Sequence, residues 1–362
     1  MRASACRGLC NGFVGGRVLL EDRAIGQTPV RGWDEVFVGL RTVAMCACLA
    51  LLWPACVGCA QSENTAGGHR GWRGERIVAS QSFGEGGATI QVDFAAGDLD
   101  LSQAEVVSWV HESAHSVAVY YGRFPVVRAR VVIEPIAGDS DSIHGTTWGD
   151  MGGFPAVTRV RLGQHVTRDE LRDDWVMTHE FVHTALPDLP DDQHWMEEGL
   201  ATYIEPIARA GTGRLTEARV WAEFLHEMHN GEPEQSDRGL NETQTWGRTY
   251  WGGAMFCLMA DVSIRRQTND RKGLRDALRA VVDSGGGIDK DWPLSRVLQI
   301  GDRATGTTVL TDMYAKWSEK PVDVDLPALW KELGVSAGPN HGVVLDAKAP
   351  LAAVRESISA SR

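Results

Sequence analysis

The chain has 362 residues, with 48 acidic against 36 basic side chains, a formal net charge of −12 and 43% apolar residues. That is enough chain for a sizeable core, and without a basic stripe the acidic balance argues against a nucleic-acid partner. Six of the seven cysteines lie at or before Cys59, so Cys257 stands alone in the remainder and a disulfide framework is ruled out there.

Residues 43–53, VAMCACLALLW, are an 11-residue apolar run behind Arg41, too short to span a bilayer comfortably and suited to a signal-peptide core. Cys56-Val57-Gly58-Cys59 then resembles a bacterial lipoprotein cleavage box with Cys59 as the lipidated residue, although Cys56 stands where leucine is usual. The long stretch before the run has no periodicity and points to a true start near Val38. Residues 1–58 are therefore read as a leader and 59–74 as a polar tether to a domain over 75–362. The expected location is the periplasm or the membrane of a bacterial envelope, with Cys59 as the one membrane contact.

Arg76 to Phe94 reads as strand, and a helix is predicted over 102–121, with Val106, Val107, Val110, Ala114, Val117, Ala118 and Tyr121 on its apolar face. On the flank of that face lies His111-Glu112-Ser113-Ala114-His115. Two histidines four apart on a helix can offer both imidazoles to one Zn²⁺, but a catalytic zinc needs a third ligand from another element. Glu134 follows with 18 residues between, yet it ends the β-branched run Val126–Pro135, which reads as a strand. This first motif is best read as a solvated helix flank. A further strand is predicted over Ala156–Leu162.

The same pattern recurs as His179-Glu180-Phe181-Val182-His183. Its helix, Leu171 to Leu186, carries Leu171, Trp175, Val176, Met177, Phe181, Val182, Ala185 and Leu186 almost all round its axis and should be buried. Buried polar groups left unpaired there would cost about 1–3 kcal/mol each. Pro187 and Pro190 end the helix, and Asp191 or Asp192 can cap the next one, WMEEGLATYIEPIA, which places Glu198 one turn in, with 14 residues between it and His183. Helix, tight acidic loop and helix bring a carboxylate back to the histidine pair. His179, His183 and Glu198 are the candidate ligands of one Zn²⁺, and Glu180 is left free to handle a water's proton. Thr202, a turn beyond Glu198, is a candidate hydrogen-bond partner of a zinc histidine.

Helical patterns continue over Leu215–His229, Tyr250–Arg266, Leu274–Asp283 and Ala328–Leu333, broken at Gly285–Gly287, and Cys257 reads as a small core residue. The expected fold is α+β, a sheet lobe with helices over 75–186 and an all-helical lobe over 187–362, with the zinc in the cleft between them.

Residues 178–203 resemble the gluzincin (peptidase MA-like) metallopeptidases, in particular the aminopeptidase-N and glycyl-aminopeptidase branches, where HExxH is followed by W-x-x-E-G-x-A-x-Y. Here that helix reads Trp195-Met196-Glu197-Glu198-Gly199-Leu200-Ala201-Thr202-Tyr203, so the ligand position maps on Glu198 and not Glu197. Tyr250-Trp251-Gly252-Gly253-Ala254 looks like the Y-x-K-G-A segment of these families, with Gly252 in place of lysine. By that resemblance Tyr250 hydrogen-bonds the oxyanion. The resemblance also implies a thermolysin-like two-lobe zincin and a cleft-lining edge strand that pairs with substrate backbone. Ala156–Leu162 takes that place, and it reads equally as a core strand. Two departures bear on substrate: 14 residues rather than aminopeptidase N's 18 separate His183 from the glutamate, and Trp148–Pro155 stands where a G-A-M-E-N motif would hold a free amino terminus.

The expected function is a zinc-dependent peptidase that hydrolyses peptide or protein substrates in the envelope, as aminopeptidase or endopeptidase. The alternatives are an inactive peptidase-like binding module and a structural zinc protein. Intact ligand and base positions oppose the first, and an open fourth coordination position opposes the second.

Overall fold

The computed structural model describes residues 76–139 and 142–360, so the leader, the tether and Cys59 lie outside the described residues. The strand-like segment after Arg76 folds as a hairpin of β1 (Ile77–Glu85) and β2 (Ala88–Ala95). Its turn uses Gly86 and Gly87 at φ 55° and 81°, and a side chain on Gly86 would meet the Phe124 backbone at 2.4 Å, which explains glycine there. The chain then enters α1 (Gln103–Tyr121), which begins with a capping box between Ser102 and Glu105 and ends at Gly122 in the left-handed region. Val106, Val110, Ala114, Val117, Ala118 and Tyr121 on its apolar face are buried.

Three further strands complete a mixed sheet: β3 (Arg128–Ile136), β4 (Ile143–Met151) and β5 (Phe154–Gly163), in the order β1-β2-β3-β5-β4. β3 runs parallel to both β2 and β5, while β4 is antiparallel to β5. This order decides between the two readings of Ala156–Leu162 in favour of the core strand. That segment lies inside β5, flanked by strands on both sides, and Ala156, Val157, Thr158, Val160 and Leu162 are all buried. The edge strand beside β5 is β4, whose sequence Ile143-His-Gly-Thr-Thr-Trp-Gly-Asp-Met151 has no apolar alternation to betray it.

The helix predicted as one piece from Leu171 to Leu186 is interrupted. α2 (Arg168–Asp173) and α3 (Val176–Val182) are separated at Asp174, whose carboxylate accepts from the backbone N–H groups of Val176 and Met177, each at 3.0 Å, and from Trp109 Nε1 at 3.1 Å. Asp174 thereby satisfies two of the orphan donors at the start of α3. The break also turns Trp175 outward, so it is exposed, contrary to the reading of an apolar surface all round.

Beyond α3 the chain is mostly helical: α4 (His194–Gly211), α5 (Glu217–Glu227), α6 (Gly253–Thr268), α7 (Leu274–Asp283), α8 (Leu294–Thr305), α9 (Val309–Trp317), α10 (Leu326–Leu333) and α11 (Ala352–Ser359). Asp191 and Asp192 do not cap α4; they form a 3₁₀ turn before it, and α4 has no side-chain cap. One further difference from the all-helical expectation is an antiparallel pair, β6 (Val335–Ala337) and β7 (Val343–Leu345), too short to leave an alternating pattern. No helix among the described residues is long and apolar enough to cross a membrane.

Candidate metal centre

His179 lies on α3, and His183 opens the 3₁₀ turn that continues it, so the two imidazoles still sit one turn apart, with ring centroids 5.0 Å apart. Glu198, in the first turns of α4, comes back to them. Its Oε2 is 3.1 Å from His179 Nε2 and 3.7 Å from His183 Nε2. One donor atom from each residue lies within 4.8 Å of the others, and His179 and Glu198 are only 5% and 2% exposed. Among the described residues no other group of three converges in this way.

The approach of α4 depends on Gly199, next in sequence to Glu198. A Cβ there would stand 2.3 Å from Gly253 Cα, and a Cβ on Gly253 would stand 2.2 Å from the Trp195 carbonyl oxygen. α4 and α6 therefore cross backbone against backbone, and no side chain fits between them. The segment leading into α6, Arg248–Gly252, is a π-helical turn, an arrangement frequent at functional sites. The buried Arg248–Asp237 ion pair, at 2.6 Å, anchors this turn. It places Tyr250 with its ring centroid 6.3 Å from that of His179, the planes only 21° apart.

Burial and the neighbouring charges set the protonation states of this group. Burial opposes the Glu198 charge, but His183, His179 and His194 together hold its pKa well below the usual range. Burial lowers His183 to about 4, so its imidazole is neutral. His179 moves the other way: burial opposes its cation, yet the hydrogen bond and charge of Glu198 raise its pKa. An anionic carboxylate and two imidazoles, one already neutral, are the donor set of a three-ligand catalytic zinc, and they fit that ion.

A hydrogen-bonded chain extends behind Glu198. Its Oε1 is 3.2 Å from His194 Nε2, His194 Nδ1 is 2.9 Å from Glu197 Oε2, and Glu197 Oε1 accepts from the Leu189 N–H at 3.0 Å. His194 thus fills the supporting place that the sequence suggested for Thr202, but it supports the carboxylate and not a histidine. Its position one turn before Glu198 on α4 is the signal that could have found it.

Glu180 is buried beside the ligands. Thr147 on β4 donates to Glu180 Oε2 at 2.7 Å, and Thr147 in turn contacts Thr158 on β5 at 3.0 Å. Burial, above all, pushes the Glu180 pKa up to about 7. Gly145, also on β4, lies directly against this side chain. Neither β4 residue carries a motif, so sequence reasoning passes over both.

The first HExxH motif has no such surroundings. His111 and His115 are about half exposed on α1, and each contacts a different oxygen of Glu85 on β1, at 3.0 and 3.1 Å. Glu134 points elsewhere, to Arg159 at 2.6 Å.

No protein-family model matches the sequence, and no curated protein is significantly similar to it. Solved structures do match. An aminopeptidase N family protein from Idiomarina loihiensis superposes with a TM-score of 0.52 and 12% identity, over 71% of this chain and 49% of its own. The chain shares the fold of that protein. The mixed five-stranded sheet followed by a mostly helical region is the arrangement that the resemblance of residues 178–203 implies. An M1 zinc metallopeptidase from Deinococcus radiodurans matches more loosely, with a TM-score of 0.45 and 17% identity over 69% of this chain and 53% of its own. The chain spans about half the length of the solved structures it matches.

Proposed function

We propose that the protein is a zinc-dependent peptidase acting on peptide or protein substrates. The observation that carries this reading is the convergence of His179, His183 and Glu198 from two helices, with Glu180 buried next to them on the same helix as His179. When bound, zinc would polarise the scissile carbonyl and lower the pKa of a water. Glu180, held by Thr147, takes the proton of the attacking water and delivers it to the leaving amine. Tyr250, beside His179, donates its hydroxyl proton in a hydrogen bond to the developing oxyanion. An extended substrate would add to the edge strand β4, main chain to main chain, a mode that leaves side-chain choice to the surrounding pockets.

The reading includes export to a bacterial envelope, supported by the apolar run 43–53 and the cysteine box ending at Cys59. Palmitate labelling lost in Cys59→Ala tests the anchor separately. For the enzyme, purified protein should hold close to one zinc per chain and cleave unfolded casein or a peptide library. Glu180→Gln should keep the metal and lose cleavage. A wild-type protein that binds no zinc would end this reading.

A further inference from the structure

The first HExxH motif plays no part in the function above, yet its surroundings are ordered. His111 and His115 lie one turn apart on α1, and Glu85 at the end of β1 stands between them. One oxygen of its carboxylate is 3.0 Å from His111 Nε2 and the other is 3.1 Å from His115 Nδ1. Both rings are about half exposed, while the Glu85 side chain is only 15% exposed.

The fold holds that carboxylate in place. Gly86, next to Glu85, presses on α1 so closely that a Cβ on it would stand 2.8 Å from the Cβ of Ala118, which lies three residues beyond His115. Phe83, on the same face of β1 as Glu85, meets the His111 ring edge-on with centroids 4.7 Å apart. Glu112, the residue that stands where Glu180 stands in the second motif, turns to other partners, Ser108 Oγ at 3.4 Å and Arg214 at 3.8 Å. Two imidazoles and a carboxylate open to water, with no base beside them, suit the capture of an ion and not hydrolysis on it.

We propose that Glu85, His111 and His115 form a second, exchangeable site for a divalent transition ion such as zinc, which ties the β1–β2 hairpin to α1. A helical histidine pair at this spacing suits Zn²⁺, Cu²⁺ and Ni²⁺, and the carboxylate supplies negative charge from a second element. The three donors do not converge as tightly as those of His179, His183 and Glu198, and the two exposed rings close on the ion by turning about their side-chain bonds. Two contacts to Glu85 are given up in exchange for coordinate bonds, so the ion is held more weakly here than in the buried centre. The site stands independently of the peptidase reading.

The test titrates the full-length protein, after it has taken up its first zinc, with further zinc against a chromophoric chelator. One further, weaker equivalent should bind. Glutamine keeps a hydrogen-bond donor for Glu85 without the imidazole nitrogen that binds metal, so His111→Gln and His115→Gln separate a ligand from a structural partner. Groups that merely orient a ligand are worth about 10–100-fold in metal affinity, so loss of the ligand itself should weaken this equivalent at least about tenfold. His179→Ala should leave it in place, and so should His165→Ala, whose exposed histidine also meets a carboxylate, Asp100, at 2.8 Å. Excess zinc should raise the melting temperature of wild type more than that of His115→Gln. No further equivalent with a dissociation constant below about 1 mM, one that survives both glutamine variants, or one lost equally in His165→Ala would overturn the proposal. A protein that holds only the equivalent removed by His115→Gln refutes the peptidase reading and leaves this site standing.

Discussion

Gly145 on β4 touches the side chain of Glu180 on α3 so closely that a methyl group built on Gly145 would stand 2.3 Å from Cγ and 2.7 Å from Oε1. Gly145→Ala must therefore move Glu180, although the substitution itself replaces none of the three metal-ligand candidates. A displacement of about 1 Å at a reacting group costs roughly 100-fold in rate. Gly145→Ala should lose about that factor in kcat/KM while its zinc content, measured by atomic absorption, stays at the wild-type level. Wild-type turnover in this variant would show that Glu180 is not held where it acts.

The contact between Gly199 and Gly253 makes a different prediction. An alanine at Gly199 forces α4 and α6 apart, and overpacking of this kind costs about 1–3 kcal/mol. Denaturant unfolding of metal-free Gly199→Ala should show that loss. Because Glu198 moves with its neighbour, zinc affinity should fall too. Full stability with full affinity would mean that the two helices can separate at no cost.

His194 holds the outer oxygen of Glu198 while Glu197 holds His194. Groups that orient a metal ligand in this way contribute about 10–100-fold in metal affinity. His194→Ala should weaken zinc binding by a factor in that range, read by competition with a chromophoric chelator, and His194→Gln, which keeps a donor, should recover part of it. An unchanged dissociation constant in His194→Ala would remove His194 from the site.

Away from the metal, burial and the neighbouring Glu205 push Glu223 on α5 up to about 8 from its ordinary 4.5. Between those values the folded chain keeps a proton that the unfolded chain has released. This group's contribution to stability therefore falls as pH rises through that window and levels off above it. Urea midpoints at pH 5 and pH 8.5 should differ less in Glu223→Gln than in wild type, because the amide cannot titrate. Identical pH profiles for the two proteins would contradict the shift.

What the sequence makes legible here is what depends on local periodicity. Four-residue spacing places His179 and His183 together, and two prolines followed by a helical pattern return Glu198, because helix geometry is fixed within a few residues. Both HExxH motifs satisfy that local rule, and they part only when the wider pattern shows a helix bringing back a carboxylate to one of them. Strand order is not local. β5 alternates plainly and is central, whereas β4 does not alternate and forms the edge, so Thr147 and Gly145 could not be connected to Glu180 from the text. Trp175 was hidden for a related reason: its apolar character fits a buried helix, and only the capping of α3 by Asp174 turns it outward.

α3 is seven residues long and has two unlike neighbours. Toward the sheet it presents Glu180 to Thr147 and Gly145; toward α4 it presents His179, and just past its end His183, to Glu198. Glu180 and the three ligand candidates thus meet different neighbours, although the charges of His179 and Glu198 also act on Glu180. Under the proposed function, a change on β4 would act on Glu180 and leave the ligand candidates in place, and a change on α4 would do the reverse. The proposed function therefore predicts that metal capture and hydrolysis can be lost one without the other.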